Sequence, residues 1–550
     1  MRLATLIVLA LRSLALAAPS SPLQLCLDAI FANKTAGSVH YPQDALYDTL
    51  YVRPYNTDIH VVPAAVTLPT SAQAVAAVVK CAASSRANVQ ARSGGHGYAN
   101  YCIGGPGGDG AVVVDLARMQ QFRMDRTTWR ATVGGGTLLG DLTARLHAAG
   151  GRAIAHGTCP QVGVGGHATI GGLGPISRQW GTALDHVEEV EVVLANGTIV
   201  RASGGQNANV LWAVQGAAAS FGIVTEFVFR THPEVTDAIL YSSQLELGSR
   251  ATQAKIFSAW QKIVSDPALD RKLASQVILF QLGMIISGTY FGTRDEFNAL
   301  NFLGRLEHPS AKVTVSRIDS WLGIVGNWAE TEALKLIGGV SGPFYSKSLT
   351  FKPTTLIPEQ GISNFFEYID KADKGTLIWF AIFDLAGGAV NDVPQNATGY
   401  AHRDVLFYLQ TYAVGVFSLS QTTTAFVEGM SNTLIKAMPG VPTGAYAGYV
   451  DPKLPDGQQQ YWGSNLPRLE QIKAQLDPQD VFHNLQSVRA ASINGSSTQP
   501  DASTSSSAPT PSGSRSGTTR VAIMGIERDW IWTMVLGIAF TIRGRWTFSR

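Results

Sequence analysis

Hydrophobic and polar positions follow two different periods in the first 235 residues of the chain. Short apolar runs predict buried strands, and they lie at 62–66, 111–116, 187–194 and 222–229. Two longer segments, 70–83 and 137–149, predict helices, and in the second Leu138, Leu142 and Leu146 recur at helical spacing. Strand and helix signals that alternate in this way predict a mixed α+β domain.

The pattern changes after residue 235. Aromatic residues become frequent, and strand-like runs such as 376–383 alternate with helical ones such as 251–264. Further on, 466–476 repeats apolar residues at helical spacing and ends in a turn signal at Asp477-Pro478. A chain of 550 residues is long for one domain, and the changes divide it into three segments: 18–235, 236–455 and 456–490.

Both ends of the chain differ from these segments. Residues 1–17 combine Arg2, an apolar run and the small-x-small site Ala15-Leu16-Ala17, which is the pattern of a cleaved signal peptide that directs secretion. Residues 491–550 are rich in Ser, Thr, Pro and Gly, a composition typical of disorder. Their apolar run 530–542 is too short to span a membrane. A glycolipid-anchor signal is one interpretation of it; an unstructured tail is preferred, because basic residues follow.

Composition excludes several functional classes. The formal net charge is +2 with 15% charged residues, and without a basic stripe this argues against a nucleic-acid partner. The 56 glycines favour a loop-rich secreted enzyme, expected to be a monomer, over a coiled coil or a disordered chain. Four N-x-S/T sequons are compatible with secretion: Asn33, Asn196, Asn396 and Asn494.

A glycine-rich stretch, 92–105, stands between two predicted strands and carries the first candidate chemistry. Its adjacent glycines, Gly94 and Gly95, allow left-handed backbone, so that successive N–H groups can point into one concavity. Such a nest suits a diphosphate. His96 would then lie beside whatever group the diphosphate carries.

A second glycine-rich stretch, 156–174, also indicates a ligand-binding loop. Eight of its nineteen residues are Gly or Pro, too many for a helix or a regular strand. A backbone with so few side chains usually lies close around a ligand. Neither stretch is a Rossmann fingerprint, and the spacing in 134–140 is also wrong for one.

Three separated motifs, in order, carry a family resemblance: Arg92-Ser-Gly-Gly-His96, Gly157-Thr-Cys-Pro160 with Gly163-Val-Gly-Gly-His167, and Tyr461-Trp-Gly-Ser-Asn-Leu-Pro-Arg-Leu469. They resemble the FAD-linked oxidases of the berberine bridge enzyme type, within the vanillyl-alcohol oxidase superfamily, and most of all the fungal oligosaccharide oxidases. The resemblance covers about residues 20–490. It implies an α+β, two-domain PCMH-type fold, with an FAD-binding domain at 18–235 (core about 59–233) and a substrate domain built on an antiparallel sheet at 236–455. Residues 456–490 would return to the FAD domain.

The resemblance also implies a doubly attached FAD, with His96 on the 8α-methyl group and Cys159 on C6 of the flavin. This chemistry needs a nucleophilic imidazole and a thiolate on loops that close over one ring. A turn histidine bonded to backbone is the alternative for His96. A zinc site of His156, Cys159 and His167 is another alternative; it is disfavoured, and no metal is expected, because Cys-x-x-Cys spacing is absent.

Further cofactor-binding residues follow from the same motifs. Val162 matches the family position that admits oxygen when it is valine, which favours an oxidase, although simple packing would also explain a valine there. The segment 216–225 keeps the family form around Ile223, while its Gly216-Ala-Ala-Ala-Ser departs from the usual Gly-Ala-Gly. The full predicted set beside His96 and Cys159 is Arg92, Ser93, Gly94, Gly95, Gly97, Val162, Gly163, Gly166, His167, Gly172, Ile223 and Asn465.

A catalytic base is expected in the second domain. Ala445-Tyr-Ala-Gly-Tyr-Val-Asp451 resembles a family Tyr-x-Asn-Tyr-x-Asp motif whose second tyrosine removes the substrate's hydroxyl proton. This implies Tyr449 as the base, with Gly448 in place of the asparagine. A phenol of pKa ~10 is a poor base unless a neighbour shares its proton. Asp384 matches the acidic partner of sugar oxidases; a turn-capping aspartate is the alternative.

The resemblance therefore implies oxidation of a reducing oligosaccharide at its anomeric carbon, with oxygen as acceptor and peroxide and a lactone as products. An oxidase of an alcohol or amine in secondary metabolism is the second interpretation, and a non-catalytic flavoprotein is the third. Tryptophans 321, 328 and 379 are open to two uses, stacking on sugar rings or core packing, of which packing is the commoner.

The four cysteines are Cys26, Cys81, Cys102 and Cys159. A secreted route permits disulfides, but pairing does not follow from the sequence alone. The family resemblance favours Cys26 with Cys81, which would leave Cys102 as a buried free thiol.

Overall fold

The computed structural model describes residues 21–246, 249–306, 311–336 and 341–491. The predicted signal peptide at 1–17 and the predicted tail beyond residue 491 lie outside these residues. Within them, no helix is long and apolar enough to cross a membrane.

The strands of the described residues, in chain order, are β1 (Gly37–His40), β2 (Ala65–Pro69), β3 (Val89–Arg92), β4 (Val112–Asp115), β5 (Phe122–Asp125), β6 (Arg130–Gly134), β7 (Arg152–Ala153), β8 (Val187–Leu194), β9 (Ile199–Ser203), β10 (Gly222–Arg230), β11 (His232–Pro233), β12 (Ala238–Glu246), β13 (Gln276–Phe280), β14 (Gly283–Tyr290), β15 (Lys312–Ile318), β16 (Phe344–Phe351), β17 (Ile378–Leu385) and β18 (Phe407–Val414).

The helices of the same residues are α1 (Pro22–Phe31), α2 (Ala72–Ser84), α3 (Leu139–Ala148), α4 (Val164–His167), α5 (Ser177–Trp180), α6 (Ala208–Ala217), α7 (Arg250–Val264), α8 (Arg294–Leu300), α9 (Trp321–Leu336), α10 (Glu359–Lys371), α11 (Ala389–Asp392), α12 (Gln421–Ala437), α13 (Gly457–Trp462) and α14 (Leu466–Leu476).

Two large sheets and one antiparallel pair, β7 with β11, form the first half of the molecule. The first has the order β1-β2-β4-β3, with β2 and β3 parallel to β4 and β1 antiparallel to β2. The second, β5-β6-β10-β8-β9, is antiparallel throughout. Helices α1 and α2 pack on the first sheet, and α3 and α6 pack on the second.

The second half is built on one large antiparallel sheet of order β15-β12-β14-β13-β17-β18-β16. Helices α7, α10 and α12 cover one face, and their apolar side chains form a core with alternate strand residues such as Phe383. Because successive strand residues point to opposite faces, the neighbouring residue Asp384 points away from this core. The sheet therefore has one face that packs against the helices and one face that carries Asp384.

The end of the described chain packs back on the first half. The backbone N–H of Val89 donates to the carbonyl of Val481 over 2.8 Å, which extends the edge of the first sheet. The indole of Trp462 donates to the carbonyl of Gly216 over 3.0 Å. These contacts hold the segment that follows Tyr449 against the glycine-rich half of the molecule.

The fold class predicted from the sequence, α+β, is confirmed, while three local predictions need correction. The first predicted strand, 62–66, begins only at Ala65; Pro63 precedes it and cannot donate to a strand ladder. Helix α3 begins at Leu139, so Leu138 is its N-cap and Leu139, Leu142 and Leu146 form the buried face. The glycine-rich stretch 156–174, expected to lack helix, contains the single turn α4.

The predicted Cys26–Cys81 disulfide is confirmed and joins α1 to α2. Cys102 is a thiol, as expected, and burial raises its pKa. The reactive thiolate form of Cys102 is therefore disfavoured.

Candidate active site

Three glycine-rich segments, which contain Gly94, Gly135 and Gly163, meet at the end of β3. A Cβ added at Gly94 or at Gly163 would collide with the backbone of the other, so the loops after Arg92 and after Cys159 pass in direct backbone contact. The hydroxyl of Ser93 fastens this contact: it donates to the carbonyl of Gly135 over 2.7 Å and accepts from the N–H of Gly165 over 3.3 Å. Glycine at these positions is thus required by close packing of main chains.

We expect Gly163→Ala to destabilise the protein by about 1–3 kcal/mol, the usual cost of overpacking, and to lower its FAD content. The matched control is Gly166→Ala three residues later, where an added Cβ would meet nothing within 4 Å. Chemical denaturation of both variants measures the difference. Equal stability of the two variants would contradict the backbone contact.

The side chain of Arg92 is held inside the protein. Its guanidinium donates to the carboxylate of Asp115 over 2.7 and 3.1 Å and to the carbonyls of Tyr51 and Val52. Arg92 is 3% and Asp115 1% exposed, and Arg53 donates to the same carboxylate. Arg92 therefore fixes the start of the glycine loop through a buried ion pair.

A cavity of about 220 Å³ opens over this loop. It is lined by Arg53, Tyr55, Arg92, Gly94, Gly95, His96 and Ser341. Of the two adjacent glycines only Gly95 has left-handed backbone, with φ of 76°, a conformation that favours glycine. The loop thus turns sharply just before His96 and directs this residue to the cavity.

His96 is held as a neutral imidazole. Its ring stacks on Tyr55 with 4.6 Å between centroids, and burial lowers its pKa to about 4. At neutral pH the ring therefore keeps a nitrogen lone pair, which is what a nucleophilic attachment to a cofactor requires.

The loop that carries Cys159 is seated on the start of α3. The N–H groups of Leu139 and Gly140 donate to the carbonyls of Val162 and Pro160 over 2.9 and 3.0 Å. Burial raises the pKa of Tyr412, and the neighbouring Tyr98, Tyr55 and Cys159 raise it further. Cys159 thus lies within electrostatic reach of the aromatic residues that border His96.

These aromatic residues form one layer around Tyr98. The ring of Tyr98 stacks with Tyr55 at 6.1 Å and with Tyr449 at 6.0 Å, and its edge contacts are with Phe344 at 5.1 Å and Tyr412 at 5.9 Å. Since Tyr55 also stacks on His96, the layer runs from the predicted attachment residue to the predicted base.

The predicted base and its acidic partner are brought together. The hydroxyl of Tyr449 donates to Asp384 Oδ2 over 3.5 Å, although 65 residues separate them in sequence. Asp384 lies near the end of β17, and Tyr449 ends a short 3₁₀ turn, Ala447–Tyr449. Both side chains are half-buried, so a small molecule can reach them.

The glycine at 448 has a steric reason. A Cβ there would collide with the ring of Tyr446, which is 4% exposed and whose hydroxyl accepts from the N–H of Gly172 over 2.9 Å. Tyr446 thus occupies the space that the family's asparagine would need. It is a packing residue, whereas Tyr449 faces Asp384.

Four residues that were predicted to bind the cofactor contact other residues of the protein. His167 Nε2 accepts from the N–H of Gly157 over 2.9 Å, and burial lowers its pKa to about 3. Ile223 is 1% exposed in the core of the first sheet, and Gly172 packs closely against Ala183. Asn465 is buried and donates to the carbonyls of Gln395 and Thr398 over 2.8 and 3.1 Å. These residues shape loops and anchor the C-terminal segment.

The three tryptophans considered for sugar stacking are core residues. Trp321 and Trp379 are 1% and Trp328 is 5% exposed, and the rings of Trp321 and Trp328 pack around His156. Core packing, the commoner use of tryptophan, is what the structure shows.

Sequence reasoning missed several residues at the site. Arg53 and Tyr55 line the cavity, and Gln410 donates to the hydroxyl of Tyr98 over 2.9 Å. Tyr98 follows the Gly94–His96 motif by two residues, which was an available signal. Arg53 and Gln410 reach the site only through tertiary contacts.

Comparison with known proteins identifies the architecture. The family described as "FAD binding domain" matches residues 63–203, and the family "Berberine and berberine like" matches residues 445–489. A curated relative, FAD-linked oxidoreductase sorD of Penicillium rubens, is 40% identical over 82% of this chain and 95% of that protein. The chain belongs to the FAD-linked oxidases of the berberine bridge enzyme type.

Two solved structures of this family resemble the chain closely. Xylooligosaccharide oxidase from Myceliophthora thermophila in complex with xylobiose has a TM-score of 0.78 at 31% identity, covering 86% of this chain and 100% of that one. Glucooligosaccharide oxidase from Acremonium strictum, described with a 6-S-cysteinyl, 8α-N1-histidyl FAD, has a TM-score of 0.77 at 28% identity, covering 86% of this chain and 100% of that one.

The site of this FAD-linked oxidase fits its cofactor. Gly94 and Gly95 present bare backbone to the cavity, and at Gly97 and Gly166 an added Cβ would meet nothing within 4 Å. Backbone of this kind can approach a diphosphate closely. The neutral His96 at the cavity and the Cys159 thiol supply the two nucleophile types that attachment to a flavin requires.

Proposed function

We propose that this FAD-linked oxidase removes a hydride from a carbon that bears a hydroxyl group, with oxygen as final acceptor and hydrogen peroxide as product. The pairing of Tyr449 with Asp384 at 3.5 Å, in one aromatic layer with His96, supports this proposal. Bound FAD supplies the hydride acceptor and the route of two electrons to oxygen.

The residues have separate roles in this proposal. Tyr449 removes the proton of the substrate hydroxyl as the hydride leaves the same carbon. Asp384 accepts a hydrogen bond from the phenol, which orients Tyr449 and lets its proton be shared. A separation of 3.5 Å is at the long limit of a hydrogen bond, and catalytic hydrogen bonds of this kind tighten when substrate binds.

His96 and Cys159 are proposed to attach the FAD covalently at two positions. The neutral imidazole of His96 and the thiol of Cys159 are the attacking groups. Val162, three residues after Cys159, is proposed to leave space for oxygen. The proposed binding contacts of Arg92, Ser93, Gly94, Gly95 and Gly97 come from the loop that the buried ion pair holds in place.

We expect acid-precipitated wild-type protein to stay yellow. His96→Ala and Cys159→Ala should each keep one attachment, whereas the double variant should release all of its flavin to the supernatant. Absorbance of pellet and supernatant measures the distribution. Cys102→Ala is the matched control and should retain both attachments. Colourless wild-type pellets would refute covalent attachment.

Two substrate classes remain for the hydroxyl-bearing carbon. The names of several relatives, such as xylooligosaccharide and chitooligosaccharide oxidases, support a reducing oligosaccharide, which would be oxidised at its anomeric carbon to a lactone and then hydrolyse to the aldonic acid. The 40% identical relative is named only as an FAD-linked oxidoreductase. This name specifies no substrate and leaves the second class, an alcohol outside carbohydrate metabolism, open.

Substrate-dependent release of peroxide by the purified holoenzyme tests the proposed function against a non-catalytic flavoprotein.

Secretion as a monomer belongs to the same proposal. Secretion is supported by the N-terminal sequence pattern and by the surface position of three sequons, since Asn33, Asn196 and Asn396 are all exposed. Mass spectrometry of the protein from culture medium would show the mature N-terminus and any glycans.

A further inference from the structure

The residues around the proposed base form a short segment, 444–451, that runs beside strand β16. This strand lies at one end of the strand order in the large sheet. The N–H of Thr350 donates to the carbonyl of Gly444 over 3.0 Å, and the N–H of Tyr446 donates to the hydroxyl of Ser348 over 3.0 Å. The start of this base segment is therefore fastened to β16 before the 3₁₀ turn that presents the base.

The far end of the base segment is fastened to the same strand by an ion pair. Lys347, which precedes Ser348 on β16, donates from Nζ to Oδ2 of Asp451. The side chain of Asp451 is 3% exposed and that of Lys347 is 13% exposed. Because adjacent strand residues point to opposite sides, Lys347 and Ser348 hold the two ends of the base segment from the two sides of one strand.

Asp451 makes three further hydrogen bonds. Its N–H donates to the hydroxyl of Tyr461 over 3.0 Å, and its carbonyl accepts from Nε2 of Gln486 over 2.8 Å. Its Oδ1 accepts from the N–H of Lys453 over 2.9 Å. Tyr461 belongs to α13 and Gln486 to the end of the described chain, so Asp451 joins the base segment to the C-terminal segment as well as to β16.

Gln486 continues this series of contacts to the loop that carries His96. Its Oε1 accepts from the hydroxyl of Tyr101 over 2.9 Å, and Tyr101 follows His96 by five residues. Hydrogen bonds thus lead from Asp451 through Gln486 to the glycine-rich stretch 92–105. The residue that fastens the base segment is also connected to the loop of the proposed flavin attachment.

The position of the base is sensitive to this fastening. Tyr449 precedes Asp451 by only two residues, and its hydroxyl reaches Asp384 over 3.5 Å, at the long limit of a hydrogen bond. A displacement of about 1 Å at a reacting group can cost ~10²-fold in rate. A buried carboxylate without a cation beside it is strongly unfavourable, so loss of the Lys347 ammonium would release the end of the base segment.

Resting on the proposed function, we propose that Lys347 and Asp451 are positioning residues for the base. Their ion pair holds the far end of the base segment on β16, so that the phenol of Tyr449 stays within reach of Asp384. In this proposal neither member of the ion pair contacts the substrate, and both act only through Tyr449.

The test is anaerobic reduction of the flavin in the purified holoenzyme. Xylobiose, cellobiose and cinnamyl alcohol are the probes, and the variants are measured with the one that reduces the wild-type flavin fastest. We expect Asp451→Asn and Lys347→Met each to lower the limiting rate of reduction by about tenfold or more, because the base is misplaced. The probe concentration at half the limiting rate should change less than about threefold, since substrate binding is not the step affected.

Two other lysine variants provide controls. Lys347→Arg keeps a cation beside Asp451 and should retain the rate within about threefold of the wild type. Lys352 follows β16 by one residue and pairs with Asp404, with side chains 42% and 45% exposed. Because an exposed ion pair contributes little, Lys352→Met should leave the rate unchanged. If a single change prevents folding, Lys347→Met/Asp451→Asn removes both charges and should show the same loss as Asp451→Asn.

A double variant distinguishes positioning of the base from a merely structural role. In Tyr449→Phe the base is absent, so adding Asp451→Asn should lower the rate by less than about a further twofold, which is the non-additivity expected of coupled residues. If Asp451→Asn caused the same fold-loss with and without the phenol of Tyr449, its effect would not pass through the base and the inference would be overturned.

The outcomes also separate this inference from the proposed function. A slow Tyr449→Phe beside an Asp451→Asn that reduces at the wild-type rate would overturn the inference and leave the proposed function standing. A wild-type rate for Tyr449→Phe would overturn the assignment of the base and the inference with it. Failure of all three probes to reduce the wild-type flavin would overturn the proposed function and the inference together.

Discussion

Tyr449→Phe is expected to lower the rate of flavin reduction by about 10²–10⁴-fold, the usual contribution of a general base. The phenylalanine keeps the ring that stacks on Tyr98 at 6.0 Å and removes only the hydroxyl that donates to Asp384. At 1.36 kcal/mol per tenfold, the loss corresponds to about 2.7–5.4 kcal/mol of transition-state stabilisation. Anaerobic stopped-flow reduction of the flavin measures it directly.

The control for this variant lies three residues away. Tyr446→Phe removes the acceptor of the buried Gly172 N–H, which should cost about 1–3 kcal/mol of stability, yet it should change the rate of flavin reduction only a few-fold. If Tyr446→Phe slowed reduction as much as Tyr449→Phe does, the assignment of the base would be wrong.

Lys473→Met is expected to destabilise the folded protein by about 3–5 kcal/mol, the typical cost of breaking a buried ion pair from one side. Lys473 and Asp477 are both fully buried, and the ammonium also donates to the carbonyls of Ser220 and Phe482 over 2.8 and 3.0 Å. The variant leaves the carboxylate of Asp477 uncompensated and loosens the segment that packs on the FAD-binding half. Chemical denaturation gives the free energy of unfolding.

A surface pair with the same spacing provides the comparison. Lys371 and Glu367 form an i,i+4 ion pair on α10 with both side chains exposed, and Lys371→Met should cost no more than about 0.3–0.5 kcal/mol. Similar losses for the two lysine variants would show that the buried network does not hold the C-terminal segment.

The sequence by itself determined the loops and their chemistry. Gly94, His96 and Cys159 stand in motifs of fixed spacing, so their family could be inferred without coordinates, and with it the α+β fold class and the Cys26–Cys81 disulfide. Local signals of this kind can be read from the sequence, because turns and close backbone approaches require glycine within a few residues of the functional side chain.

Tertiary structure decided which side chains of distant segments lie next to each other. The meeting of Tyr449 with Asp384 and the engagement of Arg92 by Asp115 depend on contacts between distant segments. The alignment of Ile382, Ile278 and Ile285 in the row next to Asp384 depends on the register of three strands. Apolar alternation predicts that a residue lies on a strand, but both faces of this sheet are largely covered. Only strand pairing, which side-chain periodicity does not encode, shows that Ile382 shares a face with Asp384.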